Sequence, residues 1–236
     1  MKLPFPLTCL LLFILFLLLV GALHYPGLNA PMYYDSATRI AGNHDLFSSG
    51  MIENVLAIFP QRPLPMATFY FNFLLTDMEP AYFRIFNLLL LSATALTLVL
   101  LINLILDLPG IADHMTSTDK RKLSLTLGVF FLVHPFHTYL TLYIWQRMAL
   151  MSCLFYCLSM LAYVAVRSRK LNQLPGYGLS LMFYICAQSS KENSFTLPLI
   201  MILFELVFFQ QSWRNIFNRG AILGSIALLI IGTLSI

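Results

Sequence analysis

Few side chains in this sequence could do acid–base or charge chemistry, and they fall at four places. Asp35, within NAPMYYDSATRIAGN, could take a proton from a hydroxyl nucleophile or bind a divalent cation. A helix N-cap is its other reading, because Asp35-Ser36 suits the start of a helix. HPFHT sets His134 and His137 at i and i+3 on one helix face, where they could hold a metal or a phosphate. Hydrogen bonding to neighbouring helices would serve such histidines equally. Gln146-Arg147 offers a planar fork of donors suited to phosphate, or an ordinary snorkelling arginine. In SSKENS, Lys191 could hold a phosphate charge while Glu192 fixes its position, or the two could form a turn ion pair of little worth.

The chain that must position these groups is apolar throughout. Its 236 residues are 59% hydrophobic and only 10% charged, with a mean hydropathy of +0.80. A soluble domain carries roughly 25% charged residues and about 45–50% apolar ones. Such an excess of apolar side chains has no aqueous surface to retreat from, so the solvent must be lipid. Disordered, collagenous and coiled-coil classes are excluded. Cys9, Cys153, Cys157 and Cys186 all sit in apolar stretches, which leaves no disulfide framework or zinc motif. There is no P-loop or Gly-rich nucleotide fingerprint, and the cations form no stripe for nucleic acid.

Crossing the hydrocarbon core as a helix takes about 20 predominantly apolar residues. Seven segments qualify: 4–23, 85–106, 123–143, 148–166, 174–190, 193–209 and 221–236. Pro135 removes a backbone donor inside the third, so that helix is expected to bend or end there. The expected fold is an all-α polytopic membrane protein forming one transmembrane domain over 1–236. Lys2, the Lys120-Arg121-Lys122 run, Arg167, Arg169, Lys170, Arg214 and Arg219 fall on alternate loops. Cytoplasmic loops near spans are enriched in Lys and Arg, so the N-terminus is expected inside. A cleaved signal peptide is the other reading of the first segment, but no small-x-small site follows it closely. Residues 24–80 then make one long outer loop. Met51, Ile52, Val55, Leu56 and Phe59 share a helical stripe there, and PMATFYFNFLL (65–75) reads as an aromatic helix lying in the interface. The loop should cap the outer face and floor a site.

In order along the chain, YYDSATRIAGN, RPLPMATFYFNFLL, FRIFNLLLL, HPFHTYLTLYIWQRMALMSCLFYCLSMLAYV and SKENSFTLPL resemble polytopic glycosyltransferases of the GT-C class. They are most similar to the bacterial relatives of the transmembrane, tetratricopeptide-containing O-mannosyltransferases. The resemblance runs over nearly the whole chain, and its most specific parts are the HP…QRM and SKEN…LPL segments. It implies a polyprenyl-phosphate-linked sugar donor, transfer outside the cytoplasm to a hydroxyl of a protein or glycan acceptor, and residence in a plasma (inner) membrane. By resemblance, Asp35 would be the general base or a cation ligand. Arg62, in QRPLP, would lie near the donor or structure the loop. His134, Arg147 and Lys191 would stabilise the phosphate leaving group, with Glu192 orienting Lys191, and His137 would join them in the substrate-binding set. Direct displacement would invert the anomeric centre.

Two departures accompany the resemblance. Family loops often carry paired or neighbouring acids, whereas Ser36 follows Asp35 here. Family members also continue into further spans and a soluble repeat domain. The expectation is therefore a C-terminally truncated chain, completed by a missing half or a partner chain. A non-catalytic binder of lipid-linked saccharide and a transporter subunit are the competing functional readings.

Overall fold

Proline punctuation and apolar length set the elements. The computed structural model describes residues 4–109 and 111–209, and every regular element among them is helical. In chain order these are α1 (Phe5–His24), α2 (His44–Ser48), α3 (Ile52–Leu56), α4 (Pro63–Thr76), α5 (Pro80–Leu106), α6 (Ser117–Val133), α7 (Phe136–Leu142), α8 (Arg147–Arg167), α9 (Gln173–Gln188) and α10 (Leu197–Phe208). Three helical stretches are long and apolar enough to cross a membrane: Phe5–Gly27, Pro80–Leu106 and Ile144–Arg167. A fourth crossing follows if α6 and α7 count as one span bent by 64°. That bend falls at His134-Pro135, where the proline lacks the N–H that an unbroken helix needs. Helices α9 and α10, at 16 and 12 residues, are shorter than the spans expected over 174–190 and 193–209. The expected seventh span, together with Lys2, Arg214 and Arg219, lies outside the described residues.

Helix α5 is the central element, packing against α1, α6 and α8. Its hydroxyls turn back on its own backbone: Ser92 donates to Leu88, Thr94 to Leu90 and Thr97 to Ala93. Polar groups satisfied in this way can be carried through hydrocarbon. Small residues let neighbouring helices close up. A methyl added at Gly128 would run into Val99 of α5, and one added at Gly176 would run into Val166 of α8. Ser159 and Ser180 exchange hydrogen bonds across the α8–α9 seam. By contrast α1 buries only Phe16, Val20 and His24, a single i, i+4, i+8 line.

The segment between α1 and α5 folds over one end of the bundle. Val55 of α3 and Met66 and Phe69 of α4 pack with Ile40, Phe47, Phe83, Ile144 and Trp145 in one apolar cluster. The expected 51–59 stripe is therefore a short helix followed by turns, and 65–75 falls within α4. Phe71, Leu74 and Leu75 on the far side of α4 stay exposed, as a helix lying in an interface requires. Arg84 pins the whole segment. Its guanidinium is fully buried and donates to the carbonyls of Leu28, Ala30, Pro31 and Leu142. At the other end of the bundle Asp107 pairs with Lys120 and Lys170, and Arg167 pairs with the buried Glu205.

Candidate functional site

The cap end gathers most of the chemistry-bearing side chains. Asp35 directly precedes a single wide helical turn over Ser36–Ile40, yet its carboxylate makes no capping bond. Instead the Tyr143 hydroxyl donates to Asp35 Oδ2 at 2.7 Å, and the Asp35 N–H donates to the same hydroxyl at 3.3 Å. Tyr143 sits in the break between α7 and α8. Burial first, and the hydrogen bond to Asp35 second, push its phenol pKa up to about 12, so it remains a proton donor.

Three further tyrosines frame this contact. Tyr33 stacks on Tyr143 with centroids 5.3 Å apart, and Tyr34 and Tyr139 approach the same ring. Gln146 donates to the Tyr139 hydroxyl at 2.9 Å. Tyr34 is exposed and holds a left-handed backbone, φ 51°, directly before Asp35. A bulky residue in that region is held there only by its surroundings, and such residues cluster at functional sites. Sequence reasoning did not single out these tyrosines. Two signals were available: the YY pair flanking Asp35, and the i, i+4 spacing of Tyr139 and Tyr143 just ahead of QRM.

A chain of contacts links Asp35 to the SKENS turn. Ser36 Oγ accepts from the Trp145 N–H at 3.1 Å, and Trp145 packs edge-on against Phe59. The Arg62 guanidinium lies over Phe59 at 4.9 Å and forms two hydrogen bonds to Glu192. Glu192 thus answers Arg62, where the expectation had it orienting Lys191. Those two bonds are the largest cause holding the Glu192 carboxyl below its usual range. The Lys191 ammonium has no hydrogen-bond or ion-pair partner among the described residues, so its charge is available to a ligand.

Arg147 lies where no ligand reaches it. It is fully buried, and its five N–H donors are all engaged. Nε bonds Asn87 at 3.1 Å, Nη1 bonds the carbonyl and hydroxyl of Thr68, and Nη2 bonds Asn72 and the Phe83 carbonyl. Phe69 and Phe86 cover its faces at 4.3 and 4.4 Å. The snorkelling or phosphate-facing arginine expected at this position is instead a joint that locks α4, α5 and α8 beneath the cap. No donor remains for a leaving group.

His134 and His137 do lie together, with ring centroids 6.1 Å apart, but in unlike settings. His134 is exposed, and its Nδ1 accepts from the Phe136 N–H. His137 is buried against Phe131, and its Nδ1 has no hydrogen-bond partner among the described residues. Among the described residues no three His, Cys, Asp or Glu side chains gather as metal ligands. Ser36 Oγ is engaged by the Trp145 N–H, and among the described residues no carboxylate and imidazole set gathers with Asp35 as it would around a resident divalent cation.

No family model matches the chain, and no solved structure does. Protein O-mannosyl-transferase TMTC1 of Homo sapiens is 29% identical over 175 residues, covering 69% of this chain and 18% of that protein. Protein O-mannosyl-transferase Tmtc1 of Drosophila melanogaster is 29% identical over 196 residues, 77% of this chain and 21% of that protein. Protein O-mannosyl-transferase TMTC3 of Homo sapiens is 22% identical over 209 residues, 82% and 21% respectively. The chain spans about a fifth of the length of these curated relatives. Matches over most of its own length, to three such proteins from two animals, support a relationship between this membrane chain and the protein O-mannosyl-transferases.

Proposed function

We propose that this chain carries the acceptor-activating part of a membrane glycosyltransferase of GT-C type. In this reading a sugar passes from a polyprenyl phosphate to a hydroxyl on a protein, on the extracytoplasmic face, with the N-terminus cytoplasmic. The observation that carries the proposal is the exposed Asp35 carboxylate, held by Tyr143 on a shelf of tyrosines. A fixed carboxylate with a free oxygen can take the proton of an acceptor hydroxyl as that oxygen attacks the anomeric carbon. The bond to the phosphate oxygen breaks as the new glycosidic bond forms, which inverts the centre. Aromatic faces such as those of Tyr33 and Tyr34 suit the C–H faces of a pyranose.

Lys191 and His134 are the groups we assign to the leaving phosphate. Lys191 has no hydrogen-bond or ion-pair partner among the described residues, and His134 is exposed with its Nδ1 accepting from Phe136; a preorganised cation and a ring N–H donor act where leaving-group charge develops. Arg62 and Glu192 act together, as a clamp that sets the turn carrying Lys191. Arg147 acts at a distance, by holding the walls. Sidedness supports the orientation: Lys120 and Lys170 lie at the end opposite Asp35, and Lys and Arg are enriched on cytoplasmic loops.

The test is transfer of labelled mannose from polyprenyl-phosphate mannose to protein, in membranes carrying the chain. Mannose is the first sugar to try because the relatives are named for it. Asp35→Asn should abolish transfer and leave insertion and donor binding intact. Unaltered transfer by Asp35→Asn would sink the assignment of the base.

A further inference from the structure

The end of the bundle opposite Asp35 carries a cavity that the transfer reading does not use. Helix α1 rises about 1.5 Å per residue, so the two ends lie roughly 30 Å apart along its 20 residues. The cavity holds about 610 Å³, inside the range of about 300–1,000 Å³ usual for small-molecule sites. It opens between the first turns of α1, the last turns of α5 and the first turns of α6. Its walls are mainly apolar, with Phe5 and Leu12 on one side and Val99, Leu100 and Leu125 on the others, interrupted by Thr8 and Asn103. Its mouth is polar, with Ser117, Lys120 and Arg121 from the start of α6 and Asp107 from the end of α5.

Charge decides what the mouth prefers. Asp107 is answered twice, by Lys120 at 3.3 Å and by Lys170 at 2.7 Å. Arg121 adds a third cation that is exposed and has no hydrogen-bond or ion-pair partner among the described residues. One carboxylate facing three cations leaves surplus positive charge at the lip of an apolar slot. Asp119 and the Thr116 cap answer the N-terminal end of α6, so the surplus rests on the side-chain cations. A neutral lipid would leave that charge unanswered, and a free phosphate would leave the slot unfilled. A long hydrocarbon chain ending in a phosphate satisfies both.

We propose that the cavity between α1, α5 and α6 is a binding site for an anionic phospholipid, with an acyl chain along Phe5, Leu12 and Leu125 and its phosphate at Arg121. The site is independent of the transfer reading and lies at the other end of the protein. Native mass spectrometry of the full chain, released from detergent micelles, tests it. The chain is titrated with phosphatidylglycerol, with phosphatidylcholine of the same acyl composition, and with inorganic phosphate. Phosphatidylglycerol should bind tightest. Arg121→Gln should weaken it by about fivefold, the worth of one cation near a lipid surface, while phosphatidylcholine stays unchanged. Arg121 is exposed and makes no hydrogen bond or ion pair among the described residues, so its loss does not threaten the fold. Leu12→Trp should fill the slot and weaken both lipids. Equal binding of the two lipids by the unaltered chain would overturn the proposal, as would an unchanged preference in Arg121→Gln. Inorganic phosphate binding as tightly as phosphatidylglycerol, with no effect of Leu12→Trp, would mark a phosphate site and overturn it too.

Discussion

Arg62 and Glu192 stand 130 residues apart and meet through two parallel hydrogen bonds, Nε to Oε2 at 3.0 Å and Nη2 to Oε1 at 2.6 Å. The pair ties the entry of α4 to the turn before α10. It also turns the Glu192 carboxylate to Arg62, and Lys191 makes no ion pair of its own among the described residues.

The clamp should respond to acid in a defined direction. Glu192 has a folded pKa below its ordinary value of about 4.3, because the Arg62 hydrogen bonds favour the carboxylate. A depressed carboxylate pKa stabilises the fold fully above the unfolded value and loses that contribution as pH falls through the folded value. Limited proteolysis of the 24–80 segment should therefore be unchanged from pH 7 down to about pH 5 and should rise below about pH 4. Glu192→Gln should be cleaved faster at neutral pH and show little further change with acid. A variant as acid-sensitive as the parent would rule out this clamp.

Tyr143→Phe keeps the ring and its stacking on Tyr33 but removes the hydroxyl that fixes Asp35. A hydrogen bond to a charged group is worth about 1.5–3 kcal/mol, so kcat should fall by about tenfold or more. KM for donor should hold, because the lost contact orients the proposed base, Asp35, and is not assigned to the phosphate. Steady-state kinetics with both values unchanged would detach Tyr143 from the chemistry.

Arg147 and Lys191 should separate cleanly by what each substitution damages. Arg147→Ala strands buried acceptors on Thr68, Asn72, Phe83 and Asn87, and should cost about 3–5 kcal/mol of stability. Arg147→Lys should rescue little, since an ammonium cannot reproduce the planar fork. Lys191→Ala should leave thermal unfolding unchanged and weaken donor binding by about tenfold. Thermal unfolding and donor titration on the same samples decide it. A stable Arg147→Ala with weak donor binding would return that arginine to the phosphate.

The α5–α6 seam gives a purely structural prediction. Gly128→Leu should force α6 away from Val99 and cost about 1–3 kcal/mol by overpacking. Gly21→Leu, on a face of α1 with open space around it, should cost far less. Equal melting temperatures for the two variants would mean that the helices do not meet as closely as described.

Local signals in the sequence carried much of this architecture. Apolar length marked α1, α5 and α8, Pro135 marked the 64° bend, and an aromatic run bounded by prolines marked α4. What stayed hidden depended on partners distant in sequence. The Arg62–Glu192 pair, the carbonyl ring around Arg84 and the enclosure of Arg147 each join segments more than 50 residues apart. Arg84 nonetheless left a trace, as a lone cation inside an apolar run, and a charge there is costly enough to need a partner. Helices α9 and α10 came out shorter than the expected spans because hydropathy does not register where turns such as Glu192–Thr196 interrupt a run.

The narrow seam of α1 has a mechanical consequence. Because α1 buries fully only Phe16, Val20 and His24, with Leu17 and Leu19 half-buried beside them, its packing opposes a change in tilt less than that of α5 or α8. A membrane helix meets a thicker or thinner bilayer by tilting. The chain leaving α1 is gripped separately, by Arg84 at Leu28, Ala30 and Pro31. Asp35 therefore takes its position from the α5 grip on the chain before it and from Tyr143 and Trp145 after α7, and changes in bilayer thickness that move the first helix should be absorbed before they reach the carboxylate.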